Sequence, residues 1–417
     1  MGFLSPFSTP RRYIMLVVVT VISVHYILHT SSSMDGQTSP LGSLKKKFQA
    51  PVQAQSNTTI SNSTVNSYRP TATQPSLNNT PVSLDGKANA TFVFLARNDD
   101  LDGVVSSVQN MEDRFNRKYH YPWVFLNDEP FTEDFKQRVS ILTDAPVSFG
   151  LIPRTHWVQP DWIDEDRARM GRLKMMGQRI IYGGGTYSRV VGMQFLISDW
   201  DLLGSVPYRN MCRFNSGFFF KHELLQPYRY YWRVEPNVKF FCDIQYDPFV
   251  WMESHDKVYG FTISLEEHEP TVPTLWASVK EFMSQYPHLI EPDNSMNFLS
   301  DDKGEKYNLC HYWSNFEIAD MDFWRGQAYT QFFEFLDAKG GFYYERWGDA
   351  PVHSIAASLF ARRDQIHFFR DIGYRHENFQ HCPSGAQWSA GRCACDSSDS
   401  FDYTDHSCLR RFENLFQ

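Results

Sequence analysis

Two short apolar runs, separated by a stretch with helical spacing, constrain the fold of this chain most strongly. The first covers residues 92–95 and leads into Arg97 and Asn98, and the second leads into Asn127 and Asp128. This order predicts a βαβ unit whose polar pairs lie at the carboxyl ends of parallel strands. Open α/β sheets bind ligands in the crevice beyond those ends. Arg97 is therefore a candidate for binding a nucleotide or phosphate, with a surface salt bridge as the alternative.

The rest of the chain reads less clearly but fits the same class. Apolar residues at helical spacing predict helices within 271–290 and 320–340, and Asp349 with Pro351 resembles the start of another. Residues 210–222 are expected to continue the sheet, and 374–376 are expected to form a polar turn. These patterns predict one α/β domain with a mixed sheet, beginning at about Asn89.

Several function classes are disfavoured by the sequence. It contains neither the G-x-G-x-x-G dinucleotide fingerprint nor a P-loop. The Gly-rich stretch Tyr182–Ser188 is interpreted as a turn, with a phosphate-binding loop as the alternative. A net charge of -8 offers no broad basic surface, so nucleic acid is not expected as a partner.

The N-terminus predicts a membrane anchor. Residues 13–28 contain no Asp, Glu, Lys or Arg, and Arg11 and Arg12 precede them directly. The run spans roughly 24 Å as a helix, which suits a thin bilayer or a signal peptide. No clear cleavage site follows, and the basic pair places the rest of the chain in the lumen. We therefore expect a cytoplasmic tip over 1–12 and a signal-anchor over 13–28, with a cleaved signal peptide as the alternative.

Residues 29–88 have the composition of a disordered stem. They are rich in Ser, Thr, Asn, Gln and Pro and have few large apolar side chains, so they cannot bury enough surface to fold. Four N-glycosylation sequons cluster at this end of the chain, as expected for a lumenal stalk; they begin at Asn57, Asn62, Asn78 and Asn89.

The cysteines also indicate an oxidising compartment. The chain has 7 of them, and four are crowded into its C-terminal end, in a segment rich in turn-forming residues. We predict a disulfide-linked tail, with a zinc site as the alternative. Since the number is odd, at least one thiol is left over or bonds another chain, and the pairing cannot be read from the sequence.

An aromatic run over 230–249 raises the question of chemistry because it carries the acids Glu235, Asp243 and Asp247. One possibility is a divalent cation that bridges a diphosphate and helps it to leave. Another is a pair of carboxylates acting on a glycosidic bond. Asp243 and Asp247 adjoin Cys242 and Pro248 and are expected to be turn or cap residues rather than ligands.

This run resembles the fungal α-1,2-mannosyltransferases of glycosyltransferase family 15, together with "MCRFNSGFFFKH" before it and the blocks "SNFEIADMDFWRGQAYTQFFEFLDAKGGFYYERWGDAPVHSIAASLF" and "DIGYRH" after it. The resemblance covers essentially 89–417. It implies an α/β, GT-A-like mixed sheet with a Rossmann-like N-terminal half, in a single lumenal catalytic domain. It also implies a retaining transfer from GDP-mannose with Mn²⁺, to O-linked or N-linked mannose chains of glycoproteins, by a type II Golgi membrane protein.

The same resemblance implies roles for individual residues. Glu235 and His376 match the family's metal ligands, and a carboxylate with an imidazole suits Mn²⁺. Glu317 matches the carboxylate proposed as nucleophile; its structural alternative is an acid in the first turn of a helix. Three further residues match positions that line the donor and acceptor sugars: Tyr208, Arg233 and Asp349. Glu235 could instead form a buried ion pair with Arg233, His376 could be a surface histidine, and Asp349 could be a helix cap.

Two departures from the family pattern stand out. Asn237 offers an amide oxygen where a second acid is expected, so the metal would depend more on Glu235 and His376. Residues 189–207 intervene where the family runs on almost directly, and they are unusually apolar for a surface insertion. They are interpreted either as a loop over the acceptor side or as a retained intron.

Two other function classes are compatible with the sequence. A glycoside hydrolase would use Glu317 with Glu345 or Asp349 and would need no nucleotide. A non-catalytic mannan-binding protein would use the aromatic residues to stack on sugars.

Overall fold

The computed structural model describes residues 86–178, 180 and 199–417. The predictions for 1–12, for 13–28, for nearly all of 29–88, for Tyr182–Ser188 and for residues 189–198 lie outside this part. Of the four sequons, only that of Asn89 lies within it: the Asn89 amide donates to the Pro227 carbonyl (2.8 Å), and Thr91 is buried. A search of the described helices finds no span of membrane-crossing length and hydropathy.

Twelve strands lie in the described part of the chain: β1 Ala90–Leu95, β2 Trp123–Asn127, β3 Val147–Leu151, β4 Tyr230–Val234, β5 Lys239–Phe240, β6 Tyr259–Phe261, β7 Ser264–Glu266, β8 Cys310–Tyr312, β9 Glu317–Asp320, β10 Ile366–Phe368, β11 Tyr374–His376 and β12 Phe379–His381. The same part of the chain has these α-helices of five residues or more: α1 Leu101–Met111, α2 Glu133–Ser140, α3 Glu165–Gly177, α4 Asp199–Gly217, α5 Pro248–Ser254, α6 Leu275–Gln285, α7 Met321–Arg325, α8 Gln327–Lys339, α9 Asp349–Phe360, α10 Gly385–Ala390 and α11 Leu409–Glu413. A π-helical segment covers Glu112–Asn116.

The central sheet has seven strands in the order β10-β6-β9-β4-β1-β2-β3. Strand β9 pairs antiparallel with both of its neighbours, and the other pairs are parallel. The predicted mixed α/β sheet is therefore confirmed. The strand order reverses between β1 and β4, which creates the crevice where ligands bind in open α/β sheets.

Both faces of this sheet are buried by apolar side chains. Phe92 and Trp232 belong to the core on one face, whereas Val93 and Tyr231 belong to the core on the other. Successive side chains of a strand point to opposite faces, so the aromatic run of β4 supplies both cores. The same alternation directs Arg233 to the Tyr231 face.

Helix ends follow the expected rules where the sequence is explicit. Gly340 ends α8 in the left-handed region (φ 72°), and Asp247 accepts from the amides of Phe249 and Val250 at the start of α5. Asp247 is thus the cap residue that was predicted. Asp349 is the first residue of α9, with Gly348 at the cap position.

Two local predictions were wrong. Residues 210–217 belong to helix α4 rather than to the sheet, and residues 374–376 form β11 rather than a turn. In α4, Arg213 forms an ion pair with Asp337 of α8 (2.7 Å), so this buried charge has a partner on a neighbouring helix. The last part of the intervening segment, residues 199–207, continues directly as the first half of α4.

Three disulfides link the C-terminal tail: Cys242–Cys393, Cys310–Cys408 and Cys382–Cys395. The predicted disulfide-linked tail is therefore confirmed. Cys212 is the leftover thiol; it is buried in α4, and burial raises its pKa to about 12.

Candidate active site

The site begins where β4 ends, because its alternation projects Tyr231, Arg233 and Glu235 to one side of the sheet. Asn237 then adopts a left-handed conformation (φ 61°), and its amide donates to the carbonyl of Gly103 in α1 (3.1 Å). A Cβ at Gly103 would approach the Asn237 side-chain nitrogen to 2.6 Å. The Asn237 side chain therefore lies against the start of α1.

Glu235 and His376 are brought together from separate sheets. The Oε2 atom of Glu235 lies 3.5 Å from Nε2 of His376 and accepts a hydrogen bond from Nδ2 of Asn315 (3.1 Å). Asn315 is also 3.4 Å from Nδ1 of His376. Within the described residues no third His, Cys, Asp or Glu completes a cluster, so Glu235 and His376 form a candidate pair of ligands. A carboxylate with an imidazole is a donor set that suits Mn²⁺.

Arg233 connects Glu235 to Asp349. Its guanidinium donates to Oε1 of Glu235 (2.9 Å from Nε) and to Oδ2 of Asp349 (2.5 Å), which Ser314 also contacts (2.8 Å). Burial opposes the charge of Arg233, but the two carboxylates outweigh it and raise its pKa. Burial likewise disfavours the Asp349 carboxylate, yet Arg233 and the hydrogen bonds hold its pKa below the usual value. The ion pair of Glu235 with Arg233, the alternative for Glu235, is thus present. Asp349 lies in the first turn of α9 but is not its cap, because Gly348 takes that position.

A cavity of about 220 Å³ opens beside these ligands. It is lined by Pro236, Asn237, Lys239, Arg375, His376 and Glu377. Lys239 and Arg375 face each other in the β5–β11 register. Two cations beside a candidate metal site form a suitable environment for a phosphate-bearing ligand.

Glu317 lies deeper than the other candidates, with only 1% of its surface exposed. It is a residue of β9 opposite Arg233, not of a helical first turn. The hydroxyls of Tyr231 (2.6 Å) and Tyr259 (3.0 Å) donate to its carboxylate, and Nδ1 of His353 lies 3.0 Å from Oε2.

Tyr208 lies on α4 and contacts Arg346. Its hydroxyl accepts from Nη1 of Arg346 (3.0 Å), whose guanidinium lies over the Tyr208 ring and also contacts Glu267 (3.4 Å). Burial raises the Tyr208 pKa well above 10, and Cys212 adds to this. Tyr208 is thus a neutral hydroxyl at neutral pH.

Arg97 follows β1 at the carboxyl edge of the sheet, as predicted. Its Nη2 atom contacts Asp100 at 3.0 Å, and this hydrogen bond is the main cause of its raised pKa. The surface salt bridge named as the alternative is therefore present. The side chain is also exposed, so the guanidinium faces solvent.

Several residues of the site were missed by reasoning from sequence. Asn315 and Ser314 stand two and three residues before Glu317, and Tyr231 precedes Glu235 by four positions along β4. The period-2 alternation of β4 could have identified Tyr231 as a neighbour of the acids. His353 gave no such signal, since only the packing of α9 on the sheet brings it to Glu317.

Comparisons with known proteins place this arrangement among fungal enzymes. The family model described as glycolipid 2-alpha-mannosyltransferase matches residues 43–416. Glycolipid 2-alpha-mannosyltransferase 1 of Candida albicans is 49% identical over 334 residues, which is 80% of this chain and 73% of that one. Alpha-1,2 mannosyltransferase KTR1 of Saccharomyces cerevisiae is 48% identical over 330 residues, 79% of each chain.

Solved structures give the same result. The Mn/GDP form of core-mannan synthase A from Aspergillus fumigatus has a TM-score of 0.70 and 38% identity, covering 81% of this chain and 87% of that one. The mannosyltransferase Ktr4p of S. cerevisiae, in complex with GDP, has a TM-score of 0.71 and 36% identity, covering 83% and 87%.

Proposed function

The chain belongs to the glycolipid 2-alpha-mannosyltransferases of glycosyltransferase family 15, and from this premise we propose that it transfers mannose from GDP-mannose to mannose-terminated glycans with Mn²⁺. The convergence of Glu235 and His376 beside a cavity with two cations is the observation that carries the proposal. The relatives named as α-1,2-mannosyltransferases support the linkage. The relatives solved with Mn and GDP, or with GDP alone, support the cofactor and the donor.

Each residue has a definite part in this proposal. Glu235 and His376 would hold Mn²⁺, which supplies charge neutralisation to the departing diphosphate. Arg233, held by Asp349, fixes the rotamer of Glu235 through its Oε1 atom. Lys239 and Arg375 attract the phosphates of the donor into the cavity.

Glu317 and Tyr208 belong to the sugar side of the proposed site. In a retaining transfer, a carboxylate on the face opposite the leaving group either attacks the anomeric carbon or stabilises its positive charge. We assign that part to Glu317. Tyr208, with Arg233 and Asp349, would position the sugars, and Arg97 would contact the nucleotide at the edge of the sheet.

A type II Golgi membrane topology forms part of the proposal. The apolar run at 13–28, the basic pair before it and the sequons support an anchor with a lumenal stem. The three disulfides support an oxidising compartment. The acceptor would then be an O-linked or N-linked glycan of a secreted glycoprotein.

One experiment tests the donor, the linkage and the stereochemistry together. The purified full chain is incubated with GDP-mannose, Mn²⁺ and methyl α-mannoside, and the product linkage is determined by NMR. We expect an α-1,2 disaccharide that does not form when EDTA replaces Mn²⁺. GDP-glucose serves as the control donor and should give little product.

The rival functions predict different products. A hydrolase would release mannose from a preformed disaccharide without GDP, and a non-catalytic mannan-binding protein would yield no product at all. The carboxylates that a hydrolase would pair with Glu317 are already engaged. Asp349 is bound to Arg233, and Glu345 accepts from Thr274 and Trp347 at 2.7 Å each.

A further inference from the structure

A buried histidine contacts the carboxylate of Glu317 in the core of the protein. His353 lies on α9 and has no exposed surface. Its Nδ1 atom is 3.0 Å from Oε2 of Glu317, and its Nε2 atom is 3.1 Å from the carbonyl oxygen of Asn215 in α4. Both ring nitrogens therefore face oxygen atoms in an environment without free solvent.

The hydrogen bonds of this pair determine where its protons lie. A carbonyl oxygen only accepts, so Nε2 of His353 carries a hydrogen. A second proton must lie between Nδ1 and Oε2, because two bare lone pairs at 3.0 Å would repel each other. That proton belongs either to an imidazolium beside a carboxylate or to a carboxylic acid beside a neutral ring.

The surrounding donors favour the charged form. Trp324 Nε1 donates to the Tyr231 hydroxyl (3.1 Å), so the hydroxyl hydrogen of Tyr231 points to Glu317. Burial raises the pKa values of Tyr231 and Tyr259 far above 10, and the nearby Glu317 adds to this, so both tyrosines remain neutral donors. Two hydroxyl donors on one carboxyl group stabilise its anion.

The Trp324 ring also stacks on His353, with centroids 4.4 Å apart and planes 22° from parallel. A flat aromatic neighbour stabilises a cation. Other titratable or charged groups that act on the pair or adjoin it come from four elements: Tyr231 and Arg233 of β4, Tyr259 of β6, Tyr329 of α8 and Asp349 of α9. Of these, Asp349 favours a positive His353, and Arg233 favours a negative Glu317.

We propose that His353 is a positioning residue that, as an imidazolium, holds Glu317 as an oriented anion for mannosyl transfer. This inference rests on the proposed function, in which Glu317 acts at the anomeric carbon. An isolated charge is costly in an apolar interior, so a carboxylate as deeply buried as that of Glu317 requires a partner of opposite charge, and His353 is placed to supply it. A protonated Glu317 could neither attack nor stabilise a positive sugar.

His353→Asn is the central variant, because the Asn side-chain nitrogen can replace Nδ1 as a donor but carries no charge. We expect kcat at neutral pH to fall about tenfold or more, with KM for GDP-mannose nearly unchanged. The acid limb of the kcat profile should move up by about one pH unit or more, as expected when an opposite charge is lost. His222→Asn is the matched control, since His222 is another buried histidine that bonds a carbonyl, that of Leu151 (3.2 Å). The His222→Asn variant should leave the acid limb of the kcat profile unchanged.

Coupling to Glu317 separates positioning from simple structural support. In the Glu317→Gln background, His353→Asn should cause little further loss of kcat, because its partner charge is already gone. An additive loss, or an unmoved acid limb in folded His353→Asn protein, would overturn the inference. So would full activity of Glu317→Gln.

NMR of ¹⁵N-labelled histidines tests the ion pair without any activity. The signal of His353, assigned by its loss in His353→Asn, should show two protonated nitrogens at pH 7.5 and should become that of a neutral ring in Glu317→Gln. A neutral ring in the native protein overturns the inference whatever the activity. A protonated ring in a native chain that transfers no mannose would refute the proposed function and, with it, the positioning role.

Discussion

At the scale of residues, the candidate site is organised by one arginine that donates hydrogen bonds to two carboxylates. Arg233 binds Oε1 of Glu235 and leaves Oε2 directed to His376. Asp349 balances the guanidinium from the other side, so the group retains one net negative charge for a cation. Such outer contacts orient metal ligands before the ion arrives. Breaking them is expected to affect metal affinity more than the fold.

Glu235→Gln tests the assignment of Glu235 as a metal ligand. The amide has the shape of the carboxylate but no charge, so the Mn²⁺ concentration needed for half-maximal transfer should rise about tenfold or more. Glu377→Gln is the matched control. Glu377 lines the same cavity, but the carboxylate paired with His376 is that of Glu235. We expect it to change the Mn²⁺ requirement by less than about threefold. Equal effects of the two variants would contradict the assignment of Glu235.

Some of these residues could be predicted from the sequence and others could not. Glu235, Arg233 and the order of polar residues after β1 follow from local patterns and from the family resemblance. His376 was identified by resemblance alone, since nothing local shows that β11 pairs with β5. His353 and Asn315 depend on tertiary packing and left no sequence signal.

At the scale of elements, prediction succeeded where periodicity was strong and failed where aromatic residues were dense. Helices α6 and α8 carry apolar residues at regular helical intervals, and both were predicted. The segment 210–217 mixes aromatic and polar residues, which suits a buried strand or a buried helix equally. Arg213 of this segment pairs with Asp337 of α8, a tertiary contact that the local pattern does not show.

The edge strand β10 should make the domain sensitive to acid. His367 packs against Trp251 of α5, with ring centroids 4.1 Å apart, and burial together with Lys257, Arg370 and His255 lowers its pKa to about 3. Below pH 6.5 the unfolded chain takes up a proton that the folded chain refuses, so stability falls as the pH drops from 6.5 towards 3. At pH 5.5 this costs on the order of 1 kcal/mol.

His367→Phe retains an aromatic ring on Trp251 and removes the titration. We expect the difference in Tm between pH 7.5 and pH 5.5 to be smaller in this variant than in the native chain. Thermal unfolding followed by circular dichroism at the two pH values measures it. An unchanged difference in Tm would exclude His367 as the cause of acid sensitivity.

At the scale of the whole molecule, the strand order and the disulfides determine where the site can be. The strand order reverses between the parallel strands β1 and β4, and Arg97 and Glu235 follow the carboxyl ends of these two strands. His376, the other proposed metal ligand, lies in the small sheet of β12, β11 and β5. That sheet is held to the tail through Cys242–Cys393, and Ala394 donates to the Phe241 carbonyl (2.9 Å) beside it.

Two disulfides that both close long loops allow fold stability and site geometry to be separated. Cys242–Cys393 and Cys310–Cys408 span 151 and 98 residues. In the chain-entropy account, each stabilises the fold by about 5 kcal/mol. Replacing either pair by two serines should therefore lower Tm by similar amounts.

Only the loss of Cys242–Cys393 should raise the Mn²⁺ requirement, because Cys242 lies two residues beyond β5 and β5 holds β11, which carries His376. Cys310 opens β8, and its partner Cys408 donates its amide to the Ser264 carbonyl of β7 (3.1 Å), so that link supports a different sheet. Mn²⁺ titrations of transfer, run well below both Tm values, measure the difference. If both double variants raise the Mn²⁺ requirement equally, the small sheet has no special part in holding His376 at the metal, and His376 is positioned by the fold as a whole.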